Sequence, residues 1–213
     1  SLLFAQQGVT QCGTPTGQPK FPIETYQELP DPSSPSDKDW AAVTIPQISW
    51  GTIDTRYAKH RLPQLKKQQL TTLKGWRGER VNAQAVVWTG TEVKDLNFSF
   101  TDFKDKKGNS LSDEAFKAGF IRYVMTDELN KDGRGACGHR QAVDYDSLLV
   151  ADPIDTNLKS MSVPARTVQP IWVQCWIPQS ATPGTYKGAL LVKDGSRLLQ
   201  QLNLEILVSS REL

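Results

Sequence analysis

The sequence predicts an all-β fold, an antiparallel two-sheet β-sandwich of about ten strands with little helix. Three observations carry that prediction. Apolar and polar residues alternate with period two over several short segments, the pattern of a half-buried antiparallel strand. Thirteen prolines and fifteen glycines are spread between those segments, as turns require. Helical periodicity is weak throughout, which disfavours a parallel βαβ arrangement.

In chain order, residues 1–40 read as an N-terminal tail and a proline-rich loop, because the prolines of Leu29-Pro30-Asp31-Pro32-Ser33-Ser34-Pro35 lack donors and its polar residues cannot build a core. Residues 41–210 read as the sandwich, and residues 211–213 as the start of a linker. Val43 to Ile48 is a first strand candidate, ending at Ser49-Trp50-Gly51. Residues 79–89 set Val81, Ala83, Ala85 and Val87 on one face, while Val86 and Trp88 make the second face apolar too. Residues 94–103 alternate, with Leu96, Phe98 and Phe100 facing one way. Residues 119–126 and Val168 to Ile177 are further strands. Asp194-Gly195 sits between two alternating runs, a strong hairpin signal. Leu62 to Leu73 could hold a short helix, although Pro63 and Thr71-Thr72 oppose a long one. Asp113 to Ala118 reads as a single helical turn.

Composition narrows the function. Net charge is +2 and the 25 Lys and Arg are scattered, so there is no stripe for nucleic acid. No run of 18 apolar residues exists to span a membrane. Ser1-Leu2-Leu3-Phe4-Ala5 reads either as the remnant of a secretory signal or as an ordinary N-terminus. Cys12, Cys137 and Cys175 are spaced for no zinc site, and Cys175 falls in an apolar strand as a core residue.

Catalytic patterns lose to plainer readings. Cys137 and His139 are close in sequence, but a thiol nucleophile and its base meet across a fold. Glu128-Leu129-Asn130-Lys131-Asp132-Gly133 mimics the start of a calcium loop, yet the twelfth position is His139 where a bidentate Glu belongs. Asp127 with Glu128, and Asp152 with Asp155, are the carboxylate pairs that glycosidic chemistry would need. Both fit turns and surface charge better. No phosphate-binding loop is present. The expectation is therefore no catalytic residues, no metal and no cofactor in this chain.

Aromatics remain. Trp172 and Trp176 lie four apart in one strand and so share a face, about 13 Å apart at strand rise. They could be buried in the core or between domains, or they could form an exposed platform for sugar rings. Trp50 and Trp88 carry the same two readings.

The run Ile171-Trp172-Val173 … Ile177-Pro178 … Pro183-Gly184-Thr185-Tyr186-Lys187-Gly188 resembles the end of sandwich domains that precede barrels in bacterial glycoside hydrolases. Gly75-Trp76-Arg77-Gly78-Glu79-Arg80, Arg122-Tyr123-Val124-Met125-Thr126-Asp127, Cys137-Gly138-His139-Arg140 and Val150-Ala151-Asp152-Pro153-Ile154-Asp155 extend the likeness. Together they resemble the N-terminal domain of glycoside hydrolase family 123, over about residues 40 to 210. The order of the segments carries the likeness more than any one motif.

The resemblance implies a non-catalytic accessory sandwich of a secreted or periplasmic, N-acetylgalactosaminidase-like enzyme. Its partner would be a C-terminal TIM-barrel catalytic domain, expected beyond Leu213. The candidate interdomain or carbohydrate-binding residues are Trp50, Trp88, Arg140, Asp152, Trp172 and Trp176, with the long loop Gly133 to Asp155 the segment best placed to reach a substrate cleft. The alternative is a carbohydrate-binding module using its exposed Trp residues, with glycan as the partner.

Overall fold

A computed structural model describes residues 28–31, 33–126 and 148–213. Two sheets face each other, as the alternation predicts. The first has five strands in the order β1-β3-β10-β7-β8, all neighbours antiparallel. These are β1 (Gln47–Gly51), β3 (Arg80–Thr89), β10 (Thr167–Trp176), β7 (Phe116–Thr126) and β8 (Leu148–Asp155). The second sheet runs β2-β12-β11-β4-β9, with the short β5 and β6 attached to β11. Its strands are β2 (Leu70–Arg77), β4 (Val93–Phe100), β5 (Phe103–Lys104), β6 (Ser110–Leu111), β9 (Ser160–Val163), β11 (Gly184–Asp194) and β12 (Arg197–Glu212). A four-residue helix, α1 (Asp37–Trp40), and a 3₁₀ turn at Asp113–Ala115 are the helical elements among the described residues.

Four expectations change in detail. The first strand begins at Gln47, not Val43, because Pro46 has no N–H to offer a ladder. Leu62 to Leu73 holds no helix; residues 62–69 cross without regular structure, and Leu70 opens β2 instead. Thr71 and Thr72 suit that strand, which pairs with β12. This pair is parallel, whereas the other strand pairs among the described residues are antiparallel. β2 turns directly into β3 through Gly78, at φ +89°, which points β2 toward the end of the sandwich where β12 also finishes. Finally, β12 continues to Glu212, so residues 211 and 212 extend the strand.

The core lies between the sheets. Val81, Ala83, Ala85 and Val87 of β3 and Ile171, Val173 and Cys175 of β10 meet Leu202, Leu204, Ile206 and Val208 of β12. Trp50 is buried among them and donates its indole N–H to the Asn203 carbonyl at 2.8 Å, which ties the two sheets together. Gly188 faces Phe103 so closely that a Cβ there would lie 2.7 Å from the ring. That explains the glycine after Tyr186 in the motif. The β11–β12 hairpin turns on Gly195-Ser196, and Gly195 has the positive φ of +59° that a two-residue turn with glycine first requires.

A proline sits inside the central strand β10. Pro170 donates nothing, and regular β7–β10 pairing begins only at Ile171. Side chains bridge the gap. Gln169 donates its buried amide to the Ile121 carbonyl at 2.9 Å, and the Tyr123 hydroxyl donates to the Val168 carbonyl. Substituting Gln169→Leu should cost about 1–3 kcal/mol, because it leaves a buried carbonyl without that donor; urea unfolding followed by circular dichroism measures it.

Cys175 is a free thiol with no exposed surface, and burial pushes its pKa up to about 12. It should resist alkylation by iodoacetamide in native buffer at pH 8 and label fully in guanidinium, as read by mass spectrometry of its own peptide.

Candidate functional site

Period two along β10 sends Trp172, Gln174 and Trp176 to the face of the five-stranded sheet that points away from the core. Register places Gly119 and Lys117 of β7 beside Trp172 and Gln174 on one flank. Gln84, Asn82 and Arg80 of β3 lie beside Trp172, Gln174 and Trp176 on the other. Trp176 is 49% exposed, and Trp172 is half-buried against the cluster of Ile121, Tyr123, Leu149 and Ala151. Neither Trp belongs to the sandwich core, so the core reading of this pair is set aside. A concavity of about 200 Å³ opens between Trp172, Gly119 and Ile154, and one of about 490 Å³ between Trp176, Arg80 and Glu114. Lys117 and Gln174 line both. The Gln174 amide donates to the Asn82 side chain at 3.3 Å, and Gln84 is committed to the Thr52 and Thr55 carbonyls.

The other half of this outer face is covered. Trp40 and Tyr57 pack over Val86, Trp88 and Val168, with Leu62 and Leu65 at the margin. Trp88 is therefore buried under Trp40 and the segment that joins β1 to β2, while Trp50 lies in the core. Both drop out as exposed platforms. Beside them is a charged cluster. Glu28 accepts from Lys59 at 2.8 Å, from Arg122 at 3.0 Å and from the Tyr123 backbone N–H at 3.3 Å. Arg122 also reaches Asp155 at 3.4 Å. Burial alone would raise the Glu28 pKa, but the hydrogen bonds and charges of Lys59 and Arg122 outweigh it and hold the carboxyl below its ordinary 4.5. The Tyr123 hydroxyl is pushed well above its usual range by burial and by the nearby carboxylates of Glu28 and Asp31.

The remaining sequence-derived candidates separate. Asp152 is exposed and pairs with Arg56 at 3.7 Å. Asp155 is buried and accepts from the backbone N–H groups of Asn157 and Leu158 at 3.0 and 3.1 Å, the work of a turn residue. Their partners differ, and the geometry makes no acid–base pair of them. Arg140, the calcium-like run, Cys137 with His139, and Asp127 with Glu128 lie outside the described residues. Among the described residues, no group of three or more His, Cys, Asp or Glu could hold a metal ion.

Sequence reasoning missed Trp76. It is 42% exposed on β2, with the Arg211 guanidinium 5.8 Å from its ring centroid. It opens a groove of about 680 Å³ with Lys74, Glu79, Leu207 and Leu213. Its place in an alternating strand, between Lys74 and the Gly78 turn, is the signal that could have exposed it.

This architecture defines an all-β sandwich domain. Residues 50–194 match the model of the glycoside hydrolase 123 N-terminal domain, and the chain belongs to that family. A family 123 glycoside hydrolase from Clostridium perfringens, described in connection with glycolipid glycan hydrolysis, has the same fold at TM-score 0.62 and 19% identity over 79% of this chain. The chain spans 28% of that enzyme's length. The PapD-like domain 7 of human CEP192 aligns at TM-score 0.37 and 11% identity, covering 87% of this chain and 94% of that one. The N-terminal domain of PorA aligns at 0.36 and 8%, covering 78% and 99%. No curated protein sequence matches.

Loss of Glu28 tests the charged cluster. Because its folded pKa is depressed, the stabilisation it gives is full above pH 4.5 and disappears as pH falls through the lowered value. Glu28→Gln should be less stable than the parent by about 1–3 kcal/mol at pH 7. The difference should shrink below pH 4.5 in parallel urea titrations.

Proposed function

We propose that the chain is the non-catalytic N-terminal accessory domain of a secreted or periplasmic glycoside hydrolase, N-acetylgalactosaminidase-like, whose chemistry belongs to a TIM-barrel domain elsewhere in the parent protein. The family match supports the place in the parent. The observation that carries the supporting role is the apolar groove around Trp76. Isolated domains seldom leave a half-exposed Trp beside Leu207 and Leu213 without a partner surface. In an N-terminal domain the polypeptide passes onward through its last strand, and β12 forms one wall of this groove. Arg77 stiffens the same end by pairing with Glu212 at 3.1 Å and donating to the Gln179 carbonyl at 3.2 Å. The barrel would seat its apolar flank against Trp76 and Leu207, with Lys74 and Glu79 at the rim.

The test compares one substitution in two settings. Trp76→Ala in the 213-residue chain should change stability by about 1 kcal/mol or less, since the ring is half-exposed and makes one cation–π contact. In the full-length enzyme the same change should lower the unfolding temperature of the catalytic domain by several degrees (roughly 2–4 °C per kcal/mol), as followed by calorimetry. Equal effects in both settings would sink the docking role.

A further inference from the structure

The strip along Trp172, Gln174 and Trp176 has features that domain docking at the Trp76 groove does not use. It lies on the opposite sheet. The two indoles stand on one strand face, about 13 Å apart at strand rise, a span of two to three pyranose rings laid end to end. An aromatic face suits the C–H face of a sugar because it is broad, rigid and apolar while its edges stay wet. Between the indoles lie planar amides, Gln174 and Asn82, of the kind that hydrogen-bond hydroxyl groups. Opposite Trp172 the neighbouring strand carries Gly119, so no side chain from that position covers the ring.

Charge narrows the ligand further. Lys117 lines both concavities and Arg80 lines the larger. Every salt bridge of the described residues lies elsewhere, so neither cation has an ion-pair partner. Glu114 shares the larger concavity, and the balance there is one acid against two bases. Free cations beside one exposed and one half-buried indole fit a carboxylate or sulfate on a sugar better than a neutral chain.

We infer that this strip is a binding track for an acidic oligosaccharide. Trp176 and Trp172 stack on the rings, Gln174 and Asn82 meet hydroxyls, and Lys117 and Arg80 receive the anionic groups. The track stands or falls separately from the docking role, because it shares no residue with the Trp76 groove.

Affinity electrophoresis of the 213-residue chain through native gels containing hyaluronan, polygalacturonate or neutral hydroxyethylcellulose tests it. The chain should be retarded by at least one of the two acidic polymers and not by the neutral one. Trp176→Ala removes no charge, and its ring is exposed, so the variant should fold and melt as the parent does. Its affinity should fall by about tenfold or more, as for a central aromatic anchor. Lys117→Ala should lose affinity, whereas Lys94→Ala, which removes the same charge from an exposed position on the other sheet, should not. Retardation that is unchanged in Trp176→Ala, or equal losses in Lys117→Ala and Lys94→Ala, would reduce the effect to net charge and overturn the assignment. So would the absence of retardation in both acidic gels, or retardation by hydroxyethylcellulose alone.

Discussion

Strand β10 is the constraint on which both faces of the five-stranded sheet depend. It lies in the middle, paired to β3 on one side and β7 on the other. Its two-residue period sends Ile171, Val173 and Cys175 inward and Trp172, Gln174 and Trp176 outward. A shift of one residue would exchange these sets, putting three apolar side chains in water and a glutamine in the core. The register is held by ladders on both flanks and, past Pro170, by Gln169 and Tyr123. The surface chemistry of the outer face is thus fixed by the packing of the inner one.

That outer face is divided by how the chain returns over it. The stretch from Trp40 to Leu65 covers Val86, Trp88 and Val168 and turns half of the face into a second, smaller core. Backbone bonds secure it: Lys59 N–H donates to the Leu149 carbonyl, Ala151 N–H to the Tyr57 carbonyl, and Val168 N–H to the Lys59 carbonyl. The first two also pair the edge of β8, which would otherwise offer unpaired groups to another chain. Glu28 then clamps Lys59 and Arg122 from outside. On the other half Trp176 stays 49% exposed, and Trp172 is half-buried.

The two sheets meet differently at the end where β2, β10 and β12 finish. Gly78 turns the chain from one sheet into the other, and Arg77 gathers Gln179, Ser210 and Glu212 around that turn. The parallel pairing of β2 with β12 is a consequence, and it places Trp76 beside Leu207 on the outer face of the second sheet. One sandwich therefore carries two aromatic surfaces of different character. The Trp76 groove is apolar and lies along the last strand, while the Trp172–Trp176 strip is interleaved with amides and cations.

The sequence by itself determined the fold class, the inward faces of β3 and β10, the Gly195 turn and the burial of Cys175. Each follows from local alternation or from the backbone needs of a single residue, and both are written in neighbouring positions. The family was legible in the same way, from the order of short strand and turn segments. Which tryptophans are exposed was not legible. Trp50, Trp88, Trp172 and Trp176 all stand in apolar or alternating strands, and period two assigns a face without saying what covers it. Coverage came from segments far away in the chain: Trp88 lies under residues 40–65, and Trp50 meets the carbonyl of Asn203. The Leu62 to Leu73 stretch was misleading for the same reason, since its strand exists only because β12 is there to pair with it. Burial, pairing partner and charge neighbours are sums over contacts distant in sequence, and only the tertiary structure brings those contacts together.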